Sequence, residues 1–468
     1  MVAKNYTTEV LVVGGGPGGY VAAIRSAQLG KTVTLVDKGR VGGVCLNRGC
    51  IPSKALISAA ESLKTIDQLS DLGIDVGKPS IDFPRMMEWK DGVVKKLING
   101  VSTLLKRNKI NVINGEAFFH GPNTVQVITE NNSRLYHFKD CIIATGSSPT
   151  ELPSLPFDGH QIISSTEALE LKEIPEKLLV IGGGYIGLEL GTAYRKLGSK
   201  VTILEGTDSL LPSVDQTLVR VVKRNLKKLG IKIVTKAMVQ GCEDANGTVT
   251  VTAEVKGEKL TYTADKVLVA VGRTPNTKNL NLEQAGITTD ERGFIPVNDQ
   301  MRTSNDHIYA VGDITGGALL AHKASYEGKI AAEVIAGEPS SVDFKTMPFV
   351  IFSDPEIAYA GLSKNEAEEK GYELIISKVP FQANGRALSM REPEGFVQVI
   401  AEKQSKKILG IQIVGPEAST MISEAVLAIE MGISVIDISS VIHPHPTLPE
   451  SLMEAADNIL GNAVHVVK

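Results

Sequence analysis

The chain has 468 residues, of which 43% are hydrophobic and 22% charged, and its formal net charge is −4. This balance is typical of a globular protein of two to four domains and excludes a disordered or fibrous chain. No basic tail or stripe provides the positive charge that binds nucleic-acid phosphates. Apolar runs such as residues 177–181 and 267–271 end at glycine and are much shorter than the roughly 20 apolar residues of a membrane helix. We therefore expect no membrane span and no nucleic-acid partner.

One sequence unit occurs twice, 168 residues apart. At that offset, residues 9–16 align without a gap with residues 177–184, and Asp37 aligns with Glu205. Each copy predicts a buried strand, a glycine-rich turn, an amphipathic helix and a second strand that ends in a carboxylate. The sequence therefore predicts two dinucleotide-binding units of the Rossmann type.

Both copies carry the pattern G-x-G-x-x-G. Its first glycine makes a tight turn, its second lets the backbone approach a pyrophosphate, and its third allows close packing of the following helix. An acid 21 residues past the second glycine, Asp37 or Glu205, can accept a hydrogen bond from a ribose hydroxyl. The predicted nucleotide contacts are Gly14, Gly16 and Gly19 in the first unit and Gly182, Gly184 and Gly187 in the second.

Two dinucleotide sites in one chain indicate electron transfer between two cofactors. A carboxylate at Glu205 suits the free 2′-hydroxyl of NAD and repels the 2′-phosphate of NADP. No lysine or arginine occurs between Glu205 and Arg220 to bind such a phosphate, so we expect NAD. A cysteine pair directly follows the first glycine turn and should lie beside a redox ring, which assigns FAD to the first unit and NAD to the second.

The motifs divide the chain into four segments. Residues 1–148 form the FAD unit with the cysteine pair, and residues 149–277, after a proline-rich linker, form the NAD unit. Residues 278–347 form a central segment that completes the FAD site. Residues 348–468 have no nucleotide motif and alternate strand-like runs with helices, as in a separate α+β domain.

The spacing of Cys45 and Cys50 indicates a redox pair. In a continuous helix, residues five apart are separated by about 7.5 Å along the axis and face different directions, which exceeds the roughly 7 Å Cα limit for a disulfide. A bond between them therefore needs a loop or distorted turn, which Asn47 and Gly49 permit. Two reduced structural thiols are the alternative. A metal site is less favoured, because Cys141 and Cys242 are remote in sequence.

A helix is predicted to begin at Pro52, a favourable first helical residue. Cys50 would then lie just before a helix N-terminus, with Lys54 one turn further on. Both features favour the thiolate form of Cys50.

A second dense cluster occupies residues 443–450, where His443, His445 and Glu450 lie among three prolines. Pro446 restricts His445 to an extended conformation, and the prolines make the turn rigid. A histidine oriented by a carboxylate carries protons for thiol chemistry near neutral pH. The alternative is a proline-rich loop with surface histidines.

Together these features resemble the flavoprotein disulfide reductases, and most closely those members that oxidise dihydrolipoamide. The resemblance rests on residues 42–54, the two glycine motifs, residues 312–313 and residues 443–450, and it covers essentially the whole chain in order. Three residues, Val44, Arg48 and Pro449, depart from those more usual in the family. None of them is a reacting group, although Arg48 lies between the thiols, where it can affect their potential or access.

The resemblance implies a fold and a set of roles. The fold would be α/β, with two Rossmann-like domains and a C-terminal α+β dimerisation domain. Cys45 would exchange with substrate sulfur and Cys50 would face the flavin. His445 would be the general base and Glu450 its orienting partner, supplied across the interface of a homodimer. The other implied cofactor-binding residues are Lys54 paired with Glu189, Gly115, Gly146, Asp313 and Ala321 around FAD, and Gly272 with Glu205 at NAD.

Several alternatives share part of this pattern. Glutathione and trypanothione reductases have the same cysteines and histidine–glutamate pair, but they usually take NADPH, which Glu205 disfavours. Mercuric reductase is disfavoured because no cysteine follows Cys242. A non-catalytic protein that binds FAD and NAD would need neither the cysteine pair nor His445.

The implied partner is a protein that carries lipoamide. Because only 13 residues stand before Gly14, we expect no lipoyl domain there, and the lipoyl group would come from an acyltransferase subunit of a 2-oxo-acid dehydrogenase complex or from the lipoyl protein of glycine cleavage. Four cysteines are too few for a disulfide framework. Because strand-like sequence begins near Glu9, we expect a cytoplasmic enzyme, or one of an organelle matrix after removal of a transit peptide.

Overall fold

The computed structural model describes residues 4–245 and 247–466. Over these residues the chain forms two units built on parallel strands and a C-terminal unit built on an antiparallel sheet. This is the predicted α/β architecture.

The first unit is organised around strand Lys4–Val13. It pairs in parallel with Val33–Asp37 on one side and with Ser133–Ile143 on the other. Residues 10–13 of the central strand are apolar and buried, as expected for a strand covered on both faces. The other strands are Asn111–Asn114, Glu116–Gly121 and Thr124–Ile128, and the helices are Pro17–Gln28, Gly43–Arg48, Cys50–Gln68 and Phe83–Arg107, with a 3-10 turn at Leu69–Leu72.

Residues 278–347, predicted as a central segment, continue this first unit. Strand Ile308–Ala310 joins the first sheet in parallel beside Ser133–Ile143. Helix Ala321–Ala336 packs on helix Pro17–Gln28 so closely that a Cβ on Gly328 would lie 2.5 Å from the Gly18 carbonyl oxygen. The segment also contains the 3-10 turns Leu282–Ala285 and Gly312–Thr315. Among the described residues this segment has no sheet of its own, so the predicted boundary at residue 278 does not begin a separate hydrophobic core.

The second unit repeats the first at its beginning. Strand Lys177–Ile181, helix Tyr185–Lys196 and strand Lys200–Glu205 follow one another as the repeat predicts. The parallel sheet is completed by Lys232–Thr235, Lys266–Val269 and Ile162–Ile163, the other helices are Ser165–Ala168 and Gln216–Lys228, and an antiparallel sheet of Ala237–Ala245, Thr248–Val255 and Glu258–Ala264 covers it.

The second unit is inserted into the first. The chain leaves the first unit along Ser147–Pro149 and returns along Arg273–Pro275, and these two short strands pair antiparallel. The two crossings are therefore held side by side by main-chain hydrogen bonds.

The C-terminal unit is an antiparallel sheet covered by helices. In spatial order its strands are Phe349–Ile351, Glu356–Gly361, Ile408–Gly415, Phe396–Glu402 and Leu374–Pro380. Its helices are Lys364–Glu369, Gly385–Ser389, Ala418–Glu430, Val435–Ser440 and Glu450–Leu460, with a 3-10 turn at Phe381–Ala383. The α+β character predicted for residues 348–468 is present. No helix of the described residues is long and apolar enough to cross a membrane.

Gly187→Ala tests whether the second glycine turn limits stability. A Cβ at Gly187 would lie 2.2 Å from the Gly182 carbonyl oxygen, so we expect the free energy of unfolding to fall by about 1–3 kcal/mol through overpacking. Thermal unfolding monitored by circular dichroism measures the change.

Gly92→Ala is the matched control. Gly92 lies inside the exposed part of helix Phe83–Arg107 and a Cβ there would meet nothing within 4 Å. Alanine at this position should stabilise the helix by about 0.5–1 kcal/mol. An unchanged melting temperature for Gly187→Ala would contradict the close contact.

Candidate functional site

Close backbone contacts require glycine at two positions of the first turn. Gly14 has φ +103°, and a Cβ there would lie 2.3 Å from the Ala144 carbonyl oxygen. A Cβ on Gly19 would lie 1.8 Å from the Gly14 oxygen. Helix Pro17–Gln28 then begins with neither a side-chain cap nor an acidic residue in its first turn. Its free N–H groups therefore favour an anion.

The second turn has the same construction. Gly182 has φ +108°, and its Cβ would lie 2.4 Å from the Ala270 oxygen. Helix Tyr185–Lys196 also begins without a side-chain cap or a first-turn acid. A Cβ on Gly184 would meet nothing of the protein within 4 Å, so the space in front of this glycine is open. The middle glycine leaves room for a ligand to approach the backbone.

The two predicted acids occupy equivalent positions and bind their own turns. Asp37 Oδ2 accepts a hydrogen bond from the Gly15 N–H (2.5 Å) and Glu205 Oε2 accepts one from the Gly183 N–H (2.6 Å). The second oxygen of each acid accepts from the backbone two residues later, at 2.7 Å in both cases. A carboxylate has about four acceptor sites, so each acid retains capacity for a ribose hydroxyl.

The cysteines lie on either side of a distorted turn, as their spacing predicted. Cys45 is in helix Gly43–Arg48, and Gly49 breaks that helix with φ −145° and ψ −112°. Both cysteines are free thiols. The predicted helix start at Pro52 is wrong by two residues: helix Cys50–Gln68 begins at Cys50 itself, because the Ser53 N–H donates to the Gly49 carbonyl oxygen at 3.0 Å.

The two thiols have opposite electrostatic environments. The hydrogen bond from Cys45 lowers the pKa of Cys50 to about 7, with the help of Lys54. The same hydrogen bond, together with burial, raises the pKa of Cys45. The negative charge of the pair therefore resides on Cys50, and Cys45 keeps its proton.

Lys54 forms the predicted pair with Glu189. Lys54 Nζ lies 2.6 Å from Glu189 Oε2, and the Glu189 side chain is only 5% exposed. The other Glu189 oxygen accepts from the Phe352 N–H at 3.0 Å, and the Phe352 ring centroid lies 4.5 Å from Lys54 Nζ. Phe352 belongs to the C-terminal unit, and no sequence motif indicated it.

Asp313 lies at the junction of the first two units. Ser147 Oγ donates to Asp313 Oδ2 at 2.5 Å, and Arg273 Nε donates to the same Ser147 Oγ at 2.7 Å. Arg273 directly follows the predicted residue Gly272. The sequence analysis missed both Ser147 and Arg273, although each adjoins a predicted glycine.

A buried ion pair is hydrogen-bonded to the Gly312–Asp313 turn. Glu327 Oε2 accepts from the Gly312 N–H at 2.7 Å, and Lys323 Nζ lies 2.9 Å from Glu327 Oε1. Burial raises the pKa of Glu327, and Lys323 opposes that shift. Both residues are on helix Ala321–Ala336, whose first residue is the predicted Ala321.

The remaining predicted glycines have different structural reasons. A Cβ on Gly115 would lie 2.8 Å from the Ile128 oxygen, so packing alone explains this glycine. Gly146 and Gly272 have φ +68° and +143° at the two crossings between units, and no protein atom lies within 3.5 Å of a Cβ at either. Their contacts with cofactors stay predictions.

The predicted histidine–glutamate pair is formed. His445 Nδ1 lies 2.8 Å from Glu450 Oε1, and the Thr447 N–H donates to Glu450 Oε2 at 2.7 Å. Although burial opposes it, the Thr447 hydrogen bond and His445 lower the pKa of Glu450. The His445 side chain is 79% exposed, and no hydrogen bond of the described residues joins the pair to Cys45 or Cys50. Within the described part of one chain, the base and the thiols are therefore not bonded to one another.

His443 faces inward, unlike His445. Its side chain is 5% exposed and its Nε2 lies 2.9 Å from Glu424 Oε1. The base was predicted at His445, and of the two histidines His445 is the accessible one.

Two family models match the chain in tandem. The model described as pyridine nucleotide-disulphide oxidoreductase matches residues 8–328, and the dimerisation domain of the same family matches residues 347–456. The proteins named dihydrolipoyl dehydrogenase from Geobacillus stearothermophilus and Bacillus subtilis are both 52% identical to the chain, over 98% of each sequence. That of Staphylococcus aureus is 49% identical over the same share.

Similar folds occur among solved structures. LpdA from Mycobacterium tuberculosis superposes with a TM-score of 0.90 at 27% identity, covering 97% of this chain and 99% of that one. The HOCl-induced flavoprotein disulfide reductase RclA from Escherichia coli superposes with a TM-score of 0.86 at 29% identity, covering 96% and 99%.

Glu327→Gln tests the buried ion pair under the Gly312 turn. The amide keeps an acceptor for the Gly312 N–H but leaves the Lys323 ammonium buried without an anion, which should lower the free energy of unfolding by about 3 kcal/mol. Adding Lys323→Met should recover most of that loss. Thermal unfolding of the single and double variants measures both effects.

Glu368→Gln is the matched control, since Lys364 and Glu368 form an exposed pair with the same four-residue spacing at 3.7 Å. It should leave stability nearly unchanged. Equal melting temperatures for Glu327→Gln and Glu368→Gln would contradict a structural role for the buried pair.

Proposed function

The chain belongs to the pyridine nucleotide-disulphide oxidoreductase family, and on that premise we propose that it is a dihydrolipoyl dehydrogenase. It oxidises protein-bound dihydrolipoamide to lipoamide through the Cys45–Cys50 disulfide and FAD, and it passes a hydride to NAD+. The relatives of that name match it at about half identity over nearly the whole chain.

The position of the thiols between the two nucleotide turns carries this proposal. The Cys45 helix begins on the first turn, where the Gly42 N–H donates to the Gly15 oxygen at 2.7 Å. The Cys50 helix is joined by the Lys54–Glu189 ion pair to the helix that begins at the second turn. A dithiol in this place can pass electrons to a group bound at the first turn.

The residues at both turns fit a dinucleotide. Each turn offers an uncapped helix N-terminus, and the second has open space before its middle glycine. FAD would be held at the first turn by Gly14, Gly16, Gly19 and Asp37, with Asp313 and Lys54 nearby, and NAD at the second by Gly182, Gly184, Gly187 and Glu205. The bound FAD would supply an acceptor for the electron pair of the dithiol, and NAD+ would be the acceptor of the resulting hydride.

The protein residues perform the thiol exchange. His445 accepts a proton from dihydrolipoamide, because Glu450 holds its Nδ1 and leaves Nε2 free. The substrate thiolate attacks Cys45 Sγ, the Cys45–Cys50 bond breaks, and Cys50 leaves as a thiolate. The second substrate thiol then attacks the substrate sulfur of the mixed disulfide and gives its proton to Cys45. The bond to Cys45 breaks, the lipoamide disulfide forms, and Cys45 leaves as a thiol while His445 keeps the first proton. Protonated Cys45 beside ionised Cys50 is the state described above.

The separation of thiols and base within one chain supports a homodimer. The C-terminal unit carries the family's dimerisation domain and presents His445 on an exposed loop. In the dimer, His445 and Glu450 of one subunit would serve the cysteines of the other. The lipoyl group would be presented by a partner, either the acyltransferase subunit of a 2-oxo-acid dehydrogenase complex or the lipoyl protein of glycine cleavage, in the cytoplasm.

Initial rates of NAD+ reduction by free dihydrolipoamide test the function directly. Purified protein loaded with FAD should reduce NAD+ rapidly and NADP+ slowly, because Glu205 repels a 2′-phosphate. No reduction of either nucleotide, despite bound flavin, would reject dihydrolipoamide as the substrate. Activity with oxidised glutathione and NADPH would favour a glutathione reductase instead.

His445→Ala tests the general base. Removal of the imidazole should lower turnover by about 100-fold or more while the flavin content stays the same. His307→Gln is the control, because His307 forms a similar contact with Asp140 at 3.2 Å on the exposed surface of the first unit. A near-normal rate for His445→Ala would contradict its role.

A further inference from the structure

Two helices of different units are paired by ions at two levels. Helix Cys50–Gln68 contributes Lys54 and Glu61, and helix Tyr185–Lys196 contributes Glu189 and Lys196. Lys54 pairs with Glu189, which is the first level, and Glu61 pairs with Lys196, which is the second level, seven residues further along both helices. The Cys50 helix supplies the lysine at the first level and the glutamate at the second. The two helices therefore run in the same direction with a register fixed by charge.

A segment of the C-terminal unit, residues 352–355, contacts both levels. At the first level Phe352 acts on each member of the pair: its N–H donates to Glu189 Oε1 at 3.0 Å, and its ring lies 4.5 Å from Lys54 Nζ. A cation over an aromatic face is attracted by the ring quadrupole. Lys54 therefore lies between the Glu189 carboxylate and the Phe352 ring, and Phe352 contacts both Lys54 and Glu189.

At the second level Asp354 bridges the two helices. Its Oδ2 lies 2.7 Å from Lys196 Nζ and 3.0 Å from Lys64 Nζ. The side chains of Lys196, Asp354 and Lys64 are only 5%, 10% and 17% exposed. Although burial opposes it, Lys196 and Lys64 lower the pKa of Asp354, and against its own burial Lys64 has its pKa raised by Asp354, Glu61 and Glu392. Asp354 and Lys64 therefore each favour the charged form of the other.

The segment itself has little freedom to move. Ser353 Oγ donates to the Pro355 carbonyl oxygen at 2.7 Å, and Asn225 Nδ2 donates to the Asp354 carbonyl oxygen at 2.9 Å. Charges buried in this way keep their geometry, because separating one partner leaves an uncompensated ion. Residues 352–355 thus hold the Cys50 helix at a fixed position relative to the C-terminal unit.

Lys54 in turn acts on Cys50. Lys54 is one helical turn after Cys50, and its charge favours the Cys50 thiolate. The other titratable groups that face Cys50 are Cys45 on the short helix, and Glu189 and Tyr185 on the second-unit helix. Glu189 opposes the thiolate, and desolvation by the surrounding protein raises the pKa of the partly exposed Tyr185 to about 12, so that its phenol is neutral. Among these side chains Lys54 is the cation.

We propose that residues 352–355 are a positioning element, in which Phe352 and Asp354 hold Lys54 beside Cys50 and so set the fraction of Cys50 present as thiolate. The proposal rests on the redox role proposed for Cys50. It makes the dimerisation domain a determinant of thiol reactivity within its own chain, in addition to supplying His445 to the other.

The test is the pH dependence of Cys50 alkylation by iodoacetamide in the reduced, FAD-loaded enzyme. Trypsin cleaves after Arg48 and Lys54, so Cys45 and Cys50 are released on separate peptides and mass spectrometry follows each one. The midpoint of the Cys50 rate profile reports its thiolate, because the thiolate is the nucleophile.

Phe352→Leu removes the ring but keeps the N–H that binds Glu189. We expect the Cys50 midpoint to rise by about half to one pH unit, which is a three- to tenfold loss of thiolate below the midpoint. Asp354→Asn should shift it in the same direction by less, since the second level lies two helical turns from Lys54. If Asp354→Asn fails to fold, the Cys50 midpoint of Phe352→Leu alone decides whether the proposal holds.

Glu394→Gln is the matched control. Glu394 also joins the C-terminal unit to a second-unit helix, through Arg224 at 2.9 Å and Lys228 at 2.8 Å, but these pairs are exposed and do not involve the Cys50 helix. Its midpoint should equal that of the wild type. A wild-type midpoint for folded, FAD-loaded Phe352→Leu would overturn the proposal.

The readout needs neither lipoamide nor NAD+. An inactive enzyme whose Cys50 midpoint shifts in Phe352→Leu would reject the proposed substrate and support the positioning element. An active enzyme whose midpoint does not shift would reject the positioning element and leave the proposed function intact.

Discussion

The ion pair between Lys54 and Glu189 joins the parts of the molecule on which its chemistry depends. Lys54 lies one turn after Cys50, and Glu189 lies on the helix that starts at the second nucleotide turn. Phe352 of the C-terminal unit holds both partners. A buried ion pair of this kind does little for net stability, because desolvation offsets the attraction. Its value is geometric, since it places one cation at a defined position beside a thiol.

The thiol pair then has an asymmetry that a disulfide exchange requires. Cys45 donates a hydrogen bond to Cys50, and Lys54 favours the charge on Cys50. A thiolate that is stabilised is a good leaving group, and in the proposed exchange the protonated partner would meet the substrate. The proposed base, His445, is held by Glu450 on an exposed loop of the same chain, and no hydrogen bond of the described residues joins it to these thiols. In the proposed homodimer, the loop of one subunit would reach the cysteines of the other.

Much of the fold and of the site could be predicted because the relevant interactions are local. Each glycine turn and its acid lie within about 25 residues of one another, so strand, turn and helix specify the geometry of Asp37 on Gly15 and of Glu205 on Gly183. Longer connections were harder to assign. Residues 278–347 were predicted as a central segment that completes the FAD site, and their strand Ile308–Ala310 pairs with Ser133–Ile143 of the first unit. Arg273 and Glu327 were missed, since their partners Ser147 and Gly312 are recognised only once the units are folded together.

The sequence alone determined the two nucleotide units, the NAD preference indicated by Glu205, the redox spacing of Cys45 and Cys50, and the pairing of His445 with Glu450. These features depend on residue type and short-range spacing, both of which can be read directly from the sequence. Only the tertiary structure decided which thiol carries the charge and which residues hold Lys54. Both depend on burial and on contacts such as that of Phe352 with Glu189, 163 positions apart, and electrostatic effects on a thiol are set by distance in space, which the order of residues does not contain.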